Sequence, residues 1–217
     1  MDKKVLDQQS QYWEKNFLSK PEMFGLDPSK AAINTLKTFK EEKIKKIIEL
    51  GAGLGRDTIF FAKNLINVYA LDYSPAAIKV INKKILENKL SNLVSTKIFD
   101  VRKKLPFENN SVEVCFSHML YCMALTTAEL KFLNNEICRV LKPGGMNVYT
   151  VRHTGDGDYK NGTHIGEDLY ENDGFIVHFF SEEKVRQIAD GFIIINIESF
   201  EEGSFPRKLF RVILKKK

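Results

Sequence analysis

Between Lys46 and Leu65 the chain reads KIIELGAGLGRDTIFFAKNL: a short apolar run, three glycines at alternate positions, then a segment with helical spacing. A strand that passes through a glycine turn into a helix restricts the fold severely. The helix must cross back over the sheet in a right-handed connection, and the next strand must then lie parallel to the first. The chain repeats this alternation. Apolar runs at Ile47 to Leu50, Val68 to Leu71, Val94 to Phe99, Val112 to Ser117 and Met146 to Val151 are separated by helical patterns, which predicts a mostly parallel sheet covered by helices. Ahead of them, Pro28 to Lys45 carries Ala31, Ile33, Leu36, Phe39 and Ile44 among lysines, roughly the spacing of a helix with a solvated basic face. The end of the chain differs. FIIINIESF, Phe192 to Phe200, and LFRVIL, Leu209 to Leu214, are joined by EEGSFPRK, too short for a crossover helix, so these two strands should pair antiparallel. The expectation is an α/β fold with a seven-stranded sheet and an antiparallel final pair, in one domain spanning residues 1–217.

Composition removes several alternatives. At 217 residues, 43% hydrophobic and 28% charged, the chain has the make-up of a globular α/β domain. No apolar run reaches the length of a membrane span, and the opening MDKKVLDQQSQYWEK is too polar for a signal-peptide core, so a cytoplasmic protein without a membrane partner is expected. Cys115, Cys122 and Cys138 lie in apolar stretches without C-x-x-C spacing and read as core or near-core thiols. A net charge of only +5, with scattered lysines and a short KKK tail, does not favour nucleic acid as a partner. Nothing in the sequence fixes an oligomeric state.

The glycine turn has to serve a ligand, because in an open parallel sheet ligands sit beyond the carboxyl ends of the strands. The dinucleotide fingerprint G-x-G-x-x-G would need glycine where Arg56 stands, and no Gly-Lys-Ser/Thr follows to make a phosphate loop. The spacing is G-x-G-x-G, preceded by the acidic Glu49. Asp72 closes the next strand, where a carboxylate can accept both ribose hydroxyls of an adenosyl ligand. Asp100 closes the one after and could meet the exocyclic amine of an adenine.

With these residues in place the chain resembles the class I S-adenosylmethionine-dependent methyltransferases. IIELGAGLGRDT is similar to the family's first motif, YALDYSPAAI to the second, IFDVRKKLPFENNSVEVCFS to the third and fourth, and EICRVLKPGGMNVYT to the segment entering the fifth strand. The resemblance covers roughly residues 46–151 and implies a three-layer, Rossmann-like, seven-stranded fold with S-adenosyl-L-methionine as cofactor and S-adenosyl-L-homocysteine as product. It further implies that Gly51, Gly53 and Gly55, with Glu49 and Ala52 of the same motif, face the methionine moiety and ribose. Asp72 would take the ribose hydroxyls, Tyr73 would flank the adenine, Asp100 with Val101 would read its edge, and Ser117 would lie under the sulfonium.

Methyl transfer from a sulfonium depends chiefly on holding the nucleophile in line in a water-poor pocket, and an oxygen or nitrogen acceptor can also require a general base. His118 and Tyr121, in FSHMLYCMAL, follow the fourth strand and are candidates for a catalytic and an acceptor-binding role. Residues 152–180 form a long connection expected to be a substrate loop. It holds Arg152, His153, His164 and His178, with His153 and His178 as further catalytic candidates and Arg152 and His164 as acceptor contacts. The histidine spacings match no compact metal pattern, so no metal is expected. Tyr12 and Trp13 head an aromatic cluster with Phe17 that could close over the site, making residues 1–45 a helical gate, 46–151 the cofactor core and 181–217 a closing helix and strand pair. The aromatic lead-in and the HFFS run are loosely similar to small-molecule methyltransferases of the tellurite-resistance and thiopurine type, which implies a small-molecule methyl acceptor. The competing readings are a methyltransferase-like cofactor-binding protein with a regulatory or scaffold role, and a protein or RNA methyltransferase; a nicotinamide dehydrogenase is opposed by Arg56.

Overall fold

The computed structural model describes residues 3–203 and 207–217; positions 204–206 of the EEGSFPRK connection lie outside the described residues. Seven strands form one sheet in the order β3-β2-β1-β4-β5-β10-β9. Strands β1 (Lys46–Leu50), β2 (Asn67–Asp72), β3 (Val94–Ile98), β4 (Val112–Ser117) and β5 (Leu141–Arg152) run parallel, while β9 (Phe192–Glu202) and β10 (Arg207–Lys216) add an antiparallel pair. All seven expected strands are present, the fifth beginning five residues earlier than the apolar run.

Local chemistry explains the helix starts. α2 (Lys30–Glu41) begins where Ser29 caps Ala32 N, and Ser29 is itself held by the buried Asp57, which accepts from its N and Oγ at 2.7 Å each. α3 (Arg56–Lys63) starts from Gly55, whose φ of +78° only glycine adopts without strain. In α4 (Pro75–Glu87), Ser74 is the cap and Pro75 the first helical residue. Thr126 and Glu129 make a reciprocal capping box for α5 (Thr127–Val140). One apolar layer, built on Phe39, Phe61, Ile81 and Phe116, lies between the sheet and α2, α3 and α4; a second, with Leu133, Ile137, Tyr149 and Val185, lies under α5 and α6 (Glu182–Ile188). Cys115 and Cys122 are buried thiols and Cys138 is half-buried, as expected; burial pushes Cys122 up to about 11, so it is inert at neutral pH.

The segment expected as an irregular loop is not one. Residues 163–178 fold into a small antiparallel sheet of β6 (Thr163–Gly166), β7 (Leu169–Asn172) and β8 (Phe175–His178). Asn172 pairs with Phe175 across a two-residue turn at Asp173 and Gly174, both with positive φ, the twist that suits a tight hairpin. The first helix, α1 (Lys3–Ser19), leans on this sheet and on α4. Tyr12 Oη donates to Asp173 O (2.8 Å), Gln9 Nε2 donates to Gly174 O (2.9 Å), and Trp13 packs against Phe175 with ring centres 5.2 Å apart.

Candidate active site

The sheet order reverses between β1 and β4, and a cavity of about 920 Å³ opens beyond the carboxyl ends of these strands. That lies near the top of the roughly 300–1,000 Å³ typical of small-molecule sites. On one side it is lined by Glu49, Gly51, Ala52, Gly53, Asp72 and Tyr73, and on the other by His118, Met123, Arg152, Tyr170 and Glu202.

The first side is a braced turn. Asp72, 6% exposed, accepts from Gly53 N (2.8 Å) through Oδ2 and from Ser74 N (2.9 Å) through Oδ1. Burial raises its pKa to about 6 against the pull of those two hydrogen bonds. Each oxygen keeps a further lone pair for a ligand hydroxyl. Glu49 is buried, accepts from Thr58 Oγ1 at 2.5 Å, and is held well above the usual carboxylate range by burial and then by neighbouring Asp57. A side chain at Gly53 would meet nothing nearer than Phe17 Cζ at 3.9 Å, so that glycine keeps the cavity open. At Gly55 a Cβ would come 2.7 Å from Ile81 Cγ1. Gly55 therefore packs the turn onto α4 rather than facing the cavity.

On the second side, Thr150 Oγ1 joins β4 to β5: it accepts from Met119 N (2.9 Å) and lies 2.9 Å from His118 Nδ1. Burial lowers the His118 pKa despite the nearby Asp57 and Glu202 carboxylates, so the ring is neutral at pH 7. Arg152 is buried, with Asp156 accepting from its Nε (3.2 Å) and from Nη2, and Asp158 accepting from Nη2 (2.6 Å). Its guanidinium lies 5.2 Å from the centre of the Phe179 ring.

Several expected site residues lie elsewhere. His153 is outside the cavity: its Nδ1 accepts from Gly155 N, its Nε2 meets Ser199 Oγ, and its ring stacks on Phe210 at 4.4 Å. His178 is fully buried in β8 and its Nδ1 donates to Leu125 O at 2.7 Å. His164 is exposed and paired with Glu167 O. Tyr121 is a core residue, stacked on Tyr149 at 4.0 Å and hydrogen-bonded to Asn134 and Asn147. Each of these groups is engaged by other partners: His178 and Tyr121 are buried among core residues, His153 is held by Gly155, Ser199 and Phe210, and the exposed His164 by Glu167 O. Tyr12 braces the Asp173–Gly174 turn from behind, whereas Trp13 reaches the cavity wall. Asp100 does not line it, because Arg102 donates to both its oxygens and also pairs with Asp7 of α1 at 2.5 Å. Val101 and Ser117 are buried and do not line the cavity either; among the described residues Ser117 Oγ has no hydrogen-bond partner.

The sequence reading missed two residues. Glu14 of α1 accepts from Ser74 Oγ and, at 3.2 Å, from Ala76 N, fastening α1 over the start of α4. Glu202, at the tip of the β9–β10 hairpin, is carried across the sheet to Arg56 (Nη2 to Oε1, 3.3 Å) and stands 3.8 Å from His118 Nε2. Neither has a local sequence signal, since each acts across more than 50 residues of chain.

Residues 47–145 match a family described as a methyltransferase domain, across the strand–helix units that build this cavity. Over these residues the chain carries a methyltransferase domain. Phosphoethanolamine N-methyltransferase 1 of Triticum aestivum is 32% identical over 155 residues, 70% of this chain and 28% of that protein. The tRNA(Thr) (cytosine(32)-N(3))-methyltransferase of Saccharomyces cerevisiae is 26% identical over 205 residues, 86% of this chain and 32% of that one. The chain thus spans about a third of the length of these curated relatives. Among solved structures, N-methyltransferase NodS from Bradyrhizobium japonicum WM9, in complex with S-adenosyl-L-homocysteine, shares the methyltransferase fold over 96% of this chain and 98% of that one, with TM-score 0.73 and 13% identity. TehB from Haemophilus influenzae shares it over 85% of this chain and 62% of that one, with TM-score 0.66 and 16% identity.

Proposed function

We propose that this methyltransferase domain moves the methyl group of S-adenosylmethionine to a small polar molecule held in the second half of the same cavity. The observation that carries this reading is the continuity of one cavity from the Asp72–Gly53 turn to His118 and Arg152, walled by Trp13 and Phe17 of α1, by Tyr170 and Phe175 of the small sheet, and by Glu202 of the hairpin. A cavity walled in this way by several elements suits a small acceptor better than a polymer. The relatives include proteins named for phosphoethanolamine and for a tRNA base, so the acceptor class rests on the cavity rather than on them.

In this reading Gly51, Ala52 and Gly53 lie along the methionine moiety and ribose, Asp72 takes the ribose hydroxyls, and Tyr73 flanks the adenine. The bound cofactor supplies an electrophilic methyl on a sulfonium. The chain supplies alignment and exclusion of water, which for a well-oriented pair can lower a barrier by ~7–11 kcal/mol. Residues 1–45 are the gate in this reading, with α1 held in its closed position by Glu14 on α4 and by Tyr12 and Gln9 on the small sheet. Residues 152–180 form the acceptor wall through Arg152 and Tyr170.

The test has two stages. Calorimetry with S-adenosylhomocysteine should give saturable one-to-one binding. Incubation with S-adenosylmethionine and a panel of small amines, alcohols and thiols should then yield the homocysteine product with at least one of them. Binding without turnover across the panel would favour the regulatory reading, and absence of binding would sink both.

A further inference from the structure

One atom of the cavity wall has no hydrogen-bond partner among the described residues. Glu202 Oε1 is occupied, accepting from Arg56 Nη2 (3.3 Å) and Lys30 N (3.4 Å). Glu202 Oε2 is shielded from solvent and, among the described residues, has no hydrogen-bond partner. Leaving a buried carboxylate oxygen unsatisfied costs roughly 1–3 kcal/mol or more, a cost that a bound hydrogen-bond donor would relieve. The group facing it is His118 Nε2, at 3.8 Å, beyond hydrogen-bond length. Thr150 Oγ1 already accepts from Met119 N, so its own hydrogen is free to go to His118 Nδ1. A neutral His118 then carries its hydrogen on Nε2, pointing toward the carboxylate.

We propose that Glu202 is the proton-accepting residue of this site: its Oε2 takes the hydrogen of the acceptor's nucleophilic amine or hydroxyl, while His118, held by Thr150, positions the carboxylate. The inference rests on the reading of the cavity as a methyl-transfer site and names the class of acceptor, one whose reacting atom bears a proton. As the nucleophile's lone pair forms its bond to the methyl carbon, the carbon–sulfur bond breaks with its electrons left on sulfur. The surplus proton on the methylated atom passes to Glu202 and from there to solvent. The terminal torsion of a glutamate is broad, so a small rotation about the Cγ–Cδ bond, which moves both oxygens together, turns Oε2 toward the cavity while Oε1 shifts along its 3.3 Å contact with Arg56 Nη2. Arg56 and Lys30 hold the carboxylate from the α2 and α3 sides, and Arg207 lines the same wall.

Glu202→Gln is the informative variant, because its amide oxygen preserves the contacts of Oε1 while the amide nitrogen removes the proton acceptor. The first readout needs no acceptor. In long-range ¹H–¹⁵N spectra of the full chain, with the His118 signal identified from His118→Gln, the wild-type ring should be the Nε2–H tautomer. Its titration midpoint should fall by at least about 0.8 pH in Glu202→Gln, the change Coulomb's law gives at 3.8 Å even with the dielectric of water. The second readout is turnover with the acceptor found in the amine and alcohol panel: kcat of Glu202→Gln should drop about 100-fold or more, with S-adenosylhomocysteine affinity unchanged. An unchanged midpoint, an Nδ1–H tautomer, or wild-type kcat in Glu202→Gln each overturns the assignment. If the panel gives no turnover, the methyl-transfer reading fails, and the spectra still decide whether Glu202 and His118 are coupled.

Discussion

Replacing Asp72 by asparagine tests the cofactor side of the cavity and separates binding from folding. Alanine would be the poorer choice, because Asp72 is buried and its two oxygens hold the N–H groups of Gly53 and Ser74; removing both would collapse the turn under study. Asparagine keeps one acceptor oxygen and removes the charge. Wild-type Asp72 has a folded pKa of about 6 against 3.8 when unperturbed. Between these values the native state binds more protons than the unfolded chain, so stability falls as pH rises from about 4 to 6. Above pH 6 the buried charge costs about 3 kcal/mol. The Asp72→Asn variant escapes that cost but leaves one backbone N–H facing an amide nitrogen, which costs roughly 1–3 kcal/mol. Stability at pH 7 should therefore change little, and urea melts should lose their slope between pH 4 and 6. Binding should change a great deal. A hydrogen bond to a charged group contributes roughly 1.5–3 kcal/mol, so affinity for S-adenosylhomocysteine at pH 7.5 should fall roughly 10- to 150-fold by calorimetry. The wild-type affinity should also weaken as pH drops through about 6, where Asp72 protonates, and the variant's should not. A dissociation constant unchanged by Asp72→Asn would refute the ribose assignment.

Two further outcomes test the division of roles among glycines and histidines. Gly55→Ala places a Cβ 2.7 Å from Ile81 Cγ1 at a φ of +78°, and should destabilise the fold by roughly 1–3 kcal/mol in denaturant melts, with cofactor affinity lost only in proportion to unfolding. His178→Ala should lower stability by about 2 kcal/mol, through the lost Leu125 hydrogen bond and the buried space left behind, whereas His153→Ala, on a half-exposed ring, should change it by less than about 1 kcal/mol. Both should keep kcat within a few-fold, and a large loss of kcat in folded His153→Ala would restore a catalytic role for that residue.

Much of the architecture was legible in the chain because its determinants are local. β-branched runs, the GAGLG turn, the acid that ends β2 and the one just past β3 fix where strands stop and helices start, and the short connection before Arg207 dictates an antiparallel finish. One local signal went unused. ENDGFIVHF, Glu171 to Phe179, has an Asp-Gly pair between β-prone residues, the pattern of a tight hairpin, so the small sheet of residues 163–178 could have been read directly. The identity of the site's acceptor half could not. Sequence order places His118, His153, His164 and His178 on equal terms, since all four follow strands or sit in a long connection. The tertiary structure separates them: pairing of β7 with β8 turns His178 into the core, stacking on Phe210 holds His153 against the far strands, and only His118 remains on the cavity wall. In the same way, Glu202 acquires its place only when a hairpin ten or more residues long on each side reaches across β5 and β4. Backbone conformation follows from neighbours in the chain, but the facing of a side chain across a cavity is set by the packing of elements far apart in sequence, and no residue pattern within either element records it.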